Sequence, residues 1–130
     1  MAASDILRVL THYADAWTAN DLERIVAAYH DDIVLHYPGQ HALSGQHRGK
    51  AAALGALAEF GKRTSRQLIR IVDVMAGQAR GAIIAHEALG PANARVEVER
   101  LLVYRIESGL LRECWIYDQD QALINRLVGP

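Results

Sequence analysis

One cysteine, Cys114, is the only residue of its type in 130, so no intrachain disulfide can form and a reducing, cytoplasmic setting is expected. No run of basic residues could track a phosphate backbone, and the formal net charge is only −1; nucleic acid is therefore not an expected partner. The apolar stretches are short, so none reads as a membrane span. Asp5 lies among the first residues, with no basic segment leading into an apolar one, and no secretory signal is expected. A glycine-rich phosphate loop, a nucleophile elbow and a cysteine–histidine framework are all missing. Phosphoryl transfer, nucleotide binding and covalent serine chemistry are thereby disfavoured, and no cofactor is expected. His36, His41 and His47 lie near one another in sequence, but their spacing fits no compact ligand motif. They read as loop histidines facing solvent or a cavity mouth, with no metal implied.

What remains is an ordinary globular balance, 51% hydrophobic and 22% charged, at a length suited to one domain over residues 1–130. The helical signals come first. Ile6, Leu10, Tyr13, Ala14 and Trp17 recur at helical spacing behind Ser4 as a candidate N-cap. Asn20 and Glu23 resemble a capping box that opens a short helix with Leu22, Ile25, Val26 and Tyr29 on one face. Residues 33–37 read as a brief strand stopped by Pro38-Gly39, and a histidine-rich loop follows to Gly49. Residues 50–63 form a third helix anchored by Leu54, Leu57 and Phe60.

After Thr64 the period changes to that of strands. Residues 67–75, 81–89, 95–106 and 110–117 are strand candidates, separated by Gly77, by Gly90-Pro91 and by the Glu107-Ser108-Gly109 hairpin loop. Residues 119–128 form a short amphipathic helix. Consecutive strands joined by tight turns predict an α+β fold in which a curved antiparallel sheet packs against three helices and encloses one pocket. In the third long strand Val98, Arg100, Leu102 and Tyr104 share a face, which turns Arg100 inward. His86 and Glu87 are neighbours, and a one-residue error in phase would exchange which of them points inward. Asp118 ends the last strand and reads equally as a pocket carboxylate or as the N-cap of the final helix.

The element order combines with Tyr13, Trp17 and Asn20-Asp21-Leu22 on the first helices and with Tyr29-His30-Asp31-Asp32 leading into a strand. Tyr37-Pro38-Gly39, Ser44-Gly45, Gly49-Lys50, Trp115, Asp118, Leu127 and Gly129 complete the pattern. Together these features resemble the nuclear transport factor 2-like superfamily, and within it the SnoaL-like branch, across almost the whole chain. The resemblance implies a cone-shaped sheet open to a small apolar or polyketide-like molecule, and homodimers formed through the outer face of the sheet.

Three chemistries of that superfamily can be laid on the sequence. The ketosteroid isomerase-like pattern matches at Tyr13, but its base and its second acid fall on Tyr37 and Leu102, so proton abstraction from a steroid has no agent. The limonene epoxide hydrolase-like pattern of two aspartates about an arginine matches at Arg100 and Asp118. Its other aspartate falls on Leu102, so a substitute such as Glu87 would be needed. The SnoaL-like cyclases imply an acid–base carboxylate at Asp118, with Arg100 holding an oxygen and His86 as helper. Tyr13, Trp17, Tyr37, Leu102 and Ile116 would line the wall. A non-catalytic ligand-binding or dimerisation module is the alternative.

Overall fold

The structure, a computed structural model, describes residues 2–130. Helix α1 spans Ala3–Thr18, α2 Leu22–Ala28, α3 Lys50–Thr64 and α4 Gln121–Val128; the strands are β1 Tyr29–Tyr37, β2 Gly45–Arg48, β3 Gln67–Ala76, β4 Gly81–Leu89, β5 Val96–Glu107 and β6 Leu110–Asp118. The six strands form one open sheet in the order β2-β1-β6-β5-β4-β3, antiparallel except for the parallel β1–β6 pair. The meander from β3 to β6 matches the sequence expectation closely. Two strand features differ from it. Tyr29 belongs to β1 rather than to the second helix, and Gly45–Arg48 of the histidine-rich loop pairs with β1 as a short edge strand.

The helix starts also depart from the expectation. Helix α1 begins at Ala3, ahead of Ser4, and the Asp5 carboxylate accepts from the Ala2 N–H. Asp21 rather than Asn20 caps α2, its side chain accepting from the Arg24 N–H at 3.2 Å, while Asn20 takes a left-handed φ of 52°. On α3 the buried stripe is Ala53, Ala56, Phe60 and Thr64. Leu54 and Leu57 only flank it, because small residues allow the helix to lie close against the sheet.

The inner face follows strict alternation. Ile83, Ala85, Glu87 and Leu89 of β4 lie beside Leu102, Arg100, Val98 and Val96 of β5 in register, and all but Val96 are buried. Edge strand β3 carries two register shifts, at Leu68/Arg70 and Ile71/Asp73, which bend it over the first helix as bulges do. Gly81 marks the closest approach: a Cβ there would collide with Leu10 and Ile6 of α1.

At the α1 end the interior is a cluster of tyrosines. The Tyr13 and Tyr29 hydroxyls are 2.5 Å apart, and the Tyr13 ring stands edge-on to those of Tyr29 and Tyr104. Burial pushes Tyr13 up to about 12 and raises Tyr29 and Tyr104 well above 10.0. Because the folded state holds these protons more tightly than the unfolded chain, their contribution is intact below about pH 10 and is lost as pH rises through about 12. Stability measured by urea unfolding should therefore fall across that window. Each tenfold gain in proton affinity on folding corresponds to about 1.4 kcal/mol, so Tyr13 alone sets an upper scale of roughly 3 kcal/mol. The Tyr13→Phe variant should show a shallower decline, and an unchanged slope would refute this account.

Candidate functional site

Arg100 projects from the middle of β5 into the space beneath α3, and only 3% of its surface is exposed. Asp118 is its register partner on β6, so sheet geometry alone sets the carboxylate beside the guanidinium. Arg100 Nε donates to Asp118 Oδ1 at 2.5 Å, Nη2 to the Tyr37 hydroxyl at 2.9 Å and Nη1 to Glu87 Oε1 at 3.3 Å. Register partner Ala85 is small, which leaves room for Glu87, two residues along β4, to reach the guanidinium diagonally. The Phe60 ring closes the cluster from α3, with the guanidinium carbon 4.1 Å from its centroid. Burial opposes the charge on Arg100, but Tyr37, Asp118 and Glu87 outweigh it and raise its pKa. Desolvation, with Asp118 adding to it, likewise raises Tyr37.

Glu87 is fully buried and shared, its Oε2 accepting from Arg66 Nη1 at 3.3 Å. Arg66 in turn lies over the Trp17 ring. Two guanidiniums thus meet two acidic side chains. Asp118 is engaged only through Oδ1; among the described residues its buried Oδ2 has no hydrogen-bond partner.

The structure brings Tyr37, Arg100 and Asp118 together and adds Glu87, which sequence reasoning named only as a substitute carboxylate. Leu102 and Ile116 are a buried register pair further along the same face. Tyr13 instead belongs to the tyrosine cluster, with its hydroxyl engaged by Tyr29. Trp17 reaches the ionic cluster only through Arg66. His86 does not face it at all. Its β4 phase sets it on the outer face, where Nε2 donates to Glu97 Oε1 at 2.8 Å, and the inward residue of the pair is Glu87. The capping alternative for Asp118 also falls away, because Asp120 caps α4 by accepting from the Leu123 N–H at 3.0 Å.

The three histidines expected in a loop separate, and two of them lie in strands, His36 in β1 and His47 in β2. His36 is on the outer face, donating to Glu113 at 2.6 Å and stacked on Trp115. His47 braces the loop by donating to the Leu43 carbonyl at 2.7 Å. His41 turns inward, its ring edge-on to Tyr37 with centroids 4.7 Å apart. The sequence named it only together with His36 and His47, as facing solvent or a cavity mouth, since nothing in a loop's spacing reveals which side chain folds under it. Among the described residues no group of three metal-ligating side chains converges.

The ionic cluster is enclosed. A depression of about 280 Å³ opens on the outer face beside Tyr37, Pro38 and Trp115, and another of about 240 Å³ lies between α1, α2 and the β5–β6 turn. Neither is lined by Arg100 or Asp118. The segment from Pro38 to Ser44 and helix α4 cover the cluster. They are joined by Gln40 N–H to Asn125 Oδ1 at 3.0 Å and by Ala42 N–H to the Gly129 carbonyl at 2.8 Å.

The SnoaL-like domain matches over residues 10–114, which is most of the chain. The chain belongs to the SnoaL-like family. No curated protein matches it. Among solved structures, a Xanthomonas campestris protein of unknown function with a cystatin-like fold superposes with a TM-score of 0.85 at 23% identity, covering 100% of both chains. A Mesorhizobium loti protein described as a SnoaL-like polyketide cyclase gives 0.71 at 15% identity, over 90% of this chain and 99% of the other. TerC, co-crystallised with polyporic acid, gives 0.78 at 13% identity, over 95% and 98%. These identities establish a shared fold, an α+β sheet wrapped on helices.

Removing the guanidinium would leave two buried carboxylates facing each other. The Arg100→Met variant of this SnoaL-like chain should lose about 3–5 kcal/mol in denaturant unfolding, the scale for breaking a buried ion pair. A loss below about 1 kcal/mol, the range of exposed pairs, would show that the cluster does not hold the fold.

Proposed function

We propose that this SnoaL-like protein binds a small, largely apolar molecule against the ionic cluster, with Asp118 as the acid–base group of a lyase, isomerase or cyclase reaction. The single observation that carries the reading is Asp118 itself. It is a buried carboxylate fixed at one oxygen by Arg100 and left with the other oxygen free for a substrate proton. Arg100 retains N–H groups beyond its three bonds, and with the Tyr37 hydroxyl it offers donors to an oxygen on which negative charge develops. Leu102, Ile116 and Phe60 supply apolar walls. The M. loti and TerC likenesses agree with a small aromatic or polyketide-like ligand. A homodimer seated on the outer sheet face belongs to the same reading, since Tyr117 is exposed there beside partly covered Leu101 and Trp115.

The test is turnover by wild type and by Asp118→Asn across β-keto compounds and hydroxylated aromatics. The substitution keeps the shape but withdraws the base, so activity should fall by about 10²–10⁴-fold while circular dichroism shows the fold retained. Full activity in Asp118→Asn would end the acid–base reading, and an inert but ligand-binding wild type would establish a binding module instead.

One observation favours a second reading. Glu87 stands on the far side of Arg100 from Asp118, which restores the carboxylate–arginine–carboxylate arrangement that epoxide hydration uses. Both Glu87 oxygens are engaged by guanidiniums, which ranks this reading below the first. Incubation with small epoxides in ¹⁸O-water should give no labelled diol. Labelled diol formed by wild type but not by Glu87→Gln would reverse the order.

A further inference from the structure

Away from the ionic cluster, the depression of about 240 Å³ between α1, α2 and the β5–β6 turn is lined by charge of one sign. Arg8 and His12 reach it from α1 and Arg24 from α2, and no carboxylate lines it. Arg8 and His12 are four residues apart, so one face of α1 presents both. The packing of α2 against α1 brings the Arg24 guanidinium up to His12. Val9, Ala27 and Leu110 give the cleft apolar walls.

These cations lack the partners that Arg100 has. Arg24 is half-buried, and its Nη2 lies 3.5 Å from both His12 Nδ1 and the His12 carbonyl oxygen, the outer limit of hydrogen bonding. Among the described residues it forms no ion pair, not even with its exposed neighbour Glu23. The other acids of the flanking elements are engaged elsewhere. Asp21 accepts from the Arg24 backbone N–H as the cap of α2, and Glu107 pairs with His30 and Arg112. Asp5 stands 3.6 Å from Arg8, but the two side chains are 46% and 74% exposed, and a pair so open to water contributes little. The cleft therefore offers positive charge without a protein counter-ion, over apolar walls.

We propose that this cleft is a second binding site, for a small monocarboxylate whose carboxylate pairs with Arg24, between Arg8 and His12, and whose hydrocarbon lies against Val9, Ala27 and Leu110. A guanidinium meets a carboxylate through two parallel N–H bonds, and the donors of Arg24 are almost unspent. The volume corresponds to about eight water-sized groups, which suits a chain of about six carbons with its carboxylate. Neither Arg100 nor Asp118 lines this cleft, so the site stands apart from the acid–base reading.

NMR titration of the whole ¹⁵N-labelled chain with hexanoate and with hexanamide, its uncharged isostere, reads affinity and place together. Hexanoate should shift the Val9, Gly109 and Leu110 amides and bind about tenfold or more tightly than hexanamide, the scale of one charge-assisted hydrogen bond. Arg24→Gln removes the central charge but keeps the backbone N–H that Asp21 caps, so it should hold the wild-type unfolding midpoint and lose about tenfold in hexanoate affinity. Ala27→Phe does the reverse. It keeps all three cations and fills the space from an exposed helical position, so the hexanoate shifts at Val9 and Leu110 should disappear. Hexanoate binding no better than hexanamide, including no binding of either, overturns the proposal, as does wild-type affinity in Arg24→Gln. Undiminished hexanoate binding in a folded Ala27→Phe overturns it as well, since the anion would then be held by surface charge and not by the cleft.

Discussion

The burial of Arg100 is the constraint on which the rest of the interior is built. An ion taken out of water costs several kcal/mol after relaxation, and only a set of well-placed partners offsets that. Here the partners come from four separate pieces of chain: Asp118 from β6, Glu87 from β4, Tyr37 from the end of β1 and Phe60 from α3. Satisfying the guanidinium therefore fixes the sheet register on both sides of β5 and the seat of α3 at once. A slip of one residue in β5 would carry Arg100 to the outer face and strand two carboxylates beneath the helix.

Strand β5 also divides the interior into two chemically different ends. Reading along its buried phase, Arg100 belongs to the ionic cluster, Leu102 to an apolar middle, and Tyr104 to the tyrosine cluster. The tyrosine end is closed upon itself, since the Tyr13 and Tyr29 hydroxyls satisfy each other. The ionic end is not. Its bonds leave over one carboxylate oxygen and one imidazole nitrogen. Structural polar networks tend toward complete pairing, so the two ends of the interior differ in how fully their polar groups are satisfied.

How far the sequence revealed this depended on period. The β3–β6 meander was legible because alternation persists over many residues, and the same alternation turned Arg100 inward correctly. At β4 the apolar runs on both sides of His86-Glu87 concealed the phase, so His86 was offered as a helper while either of the two could have pointed inward; the inward one is Glu87. Strand β2 was invisible because Gly45–Arg48 has almost no apolar pattern; it is an exposed edge defined by pairing to β1. His41 was not told apart from His36 and His47 for a related reason. Its orientation comes from the Leu43 and Ser44 bonds of a non-repeating turn, and no period encodes those. The cap reading of Asp118 was displaced by Asp120, whose carboxylate stands directly before α4 and within reach of the Leu123 N–H.

On the acid–base reading, a ligand must still reach an enclosed carboxylate. The sheet cannot open without breaking β5 ladders on both sides, and α3 is anchored by Phe60 and by the Thr64 hydroxyl bonded to the Phe60 carbonyl. The cover formed by residues 38–44 and α4 is held differently. It is held by Leu43 of the loop and Leu123, Ile124 and Val128 of α4 buried in the core, by bonds such as Arg63 Nη1 to the Val128 carbonyl at 2.9 Å, and by Gly39, whose φ of 119° and tight approach to Gln121 and Asn125 exclude a side chain. Parting this cover from the sheet would break no strand ladder but would expose Leu43, Leu123, Ile124 and Val128 to water, so on that reading entry to Asp118 is opposed by apolar burial rather than by sheet hydrogen bonds.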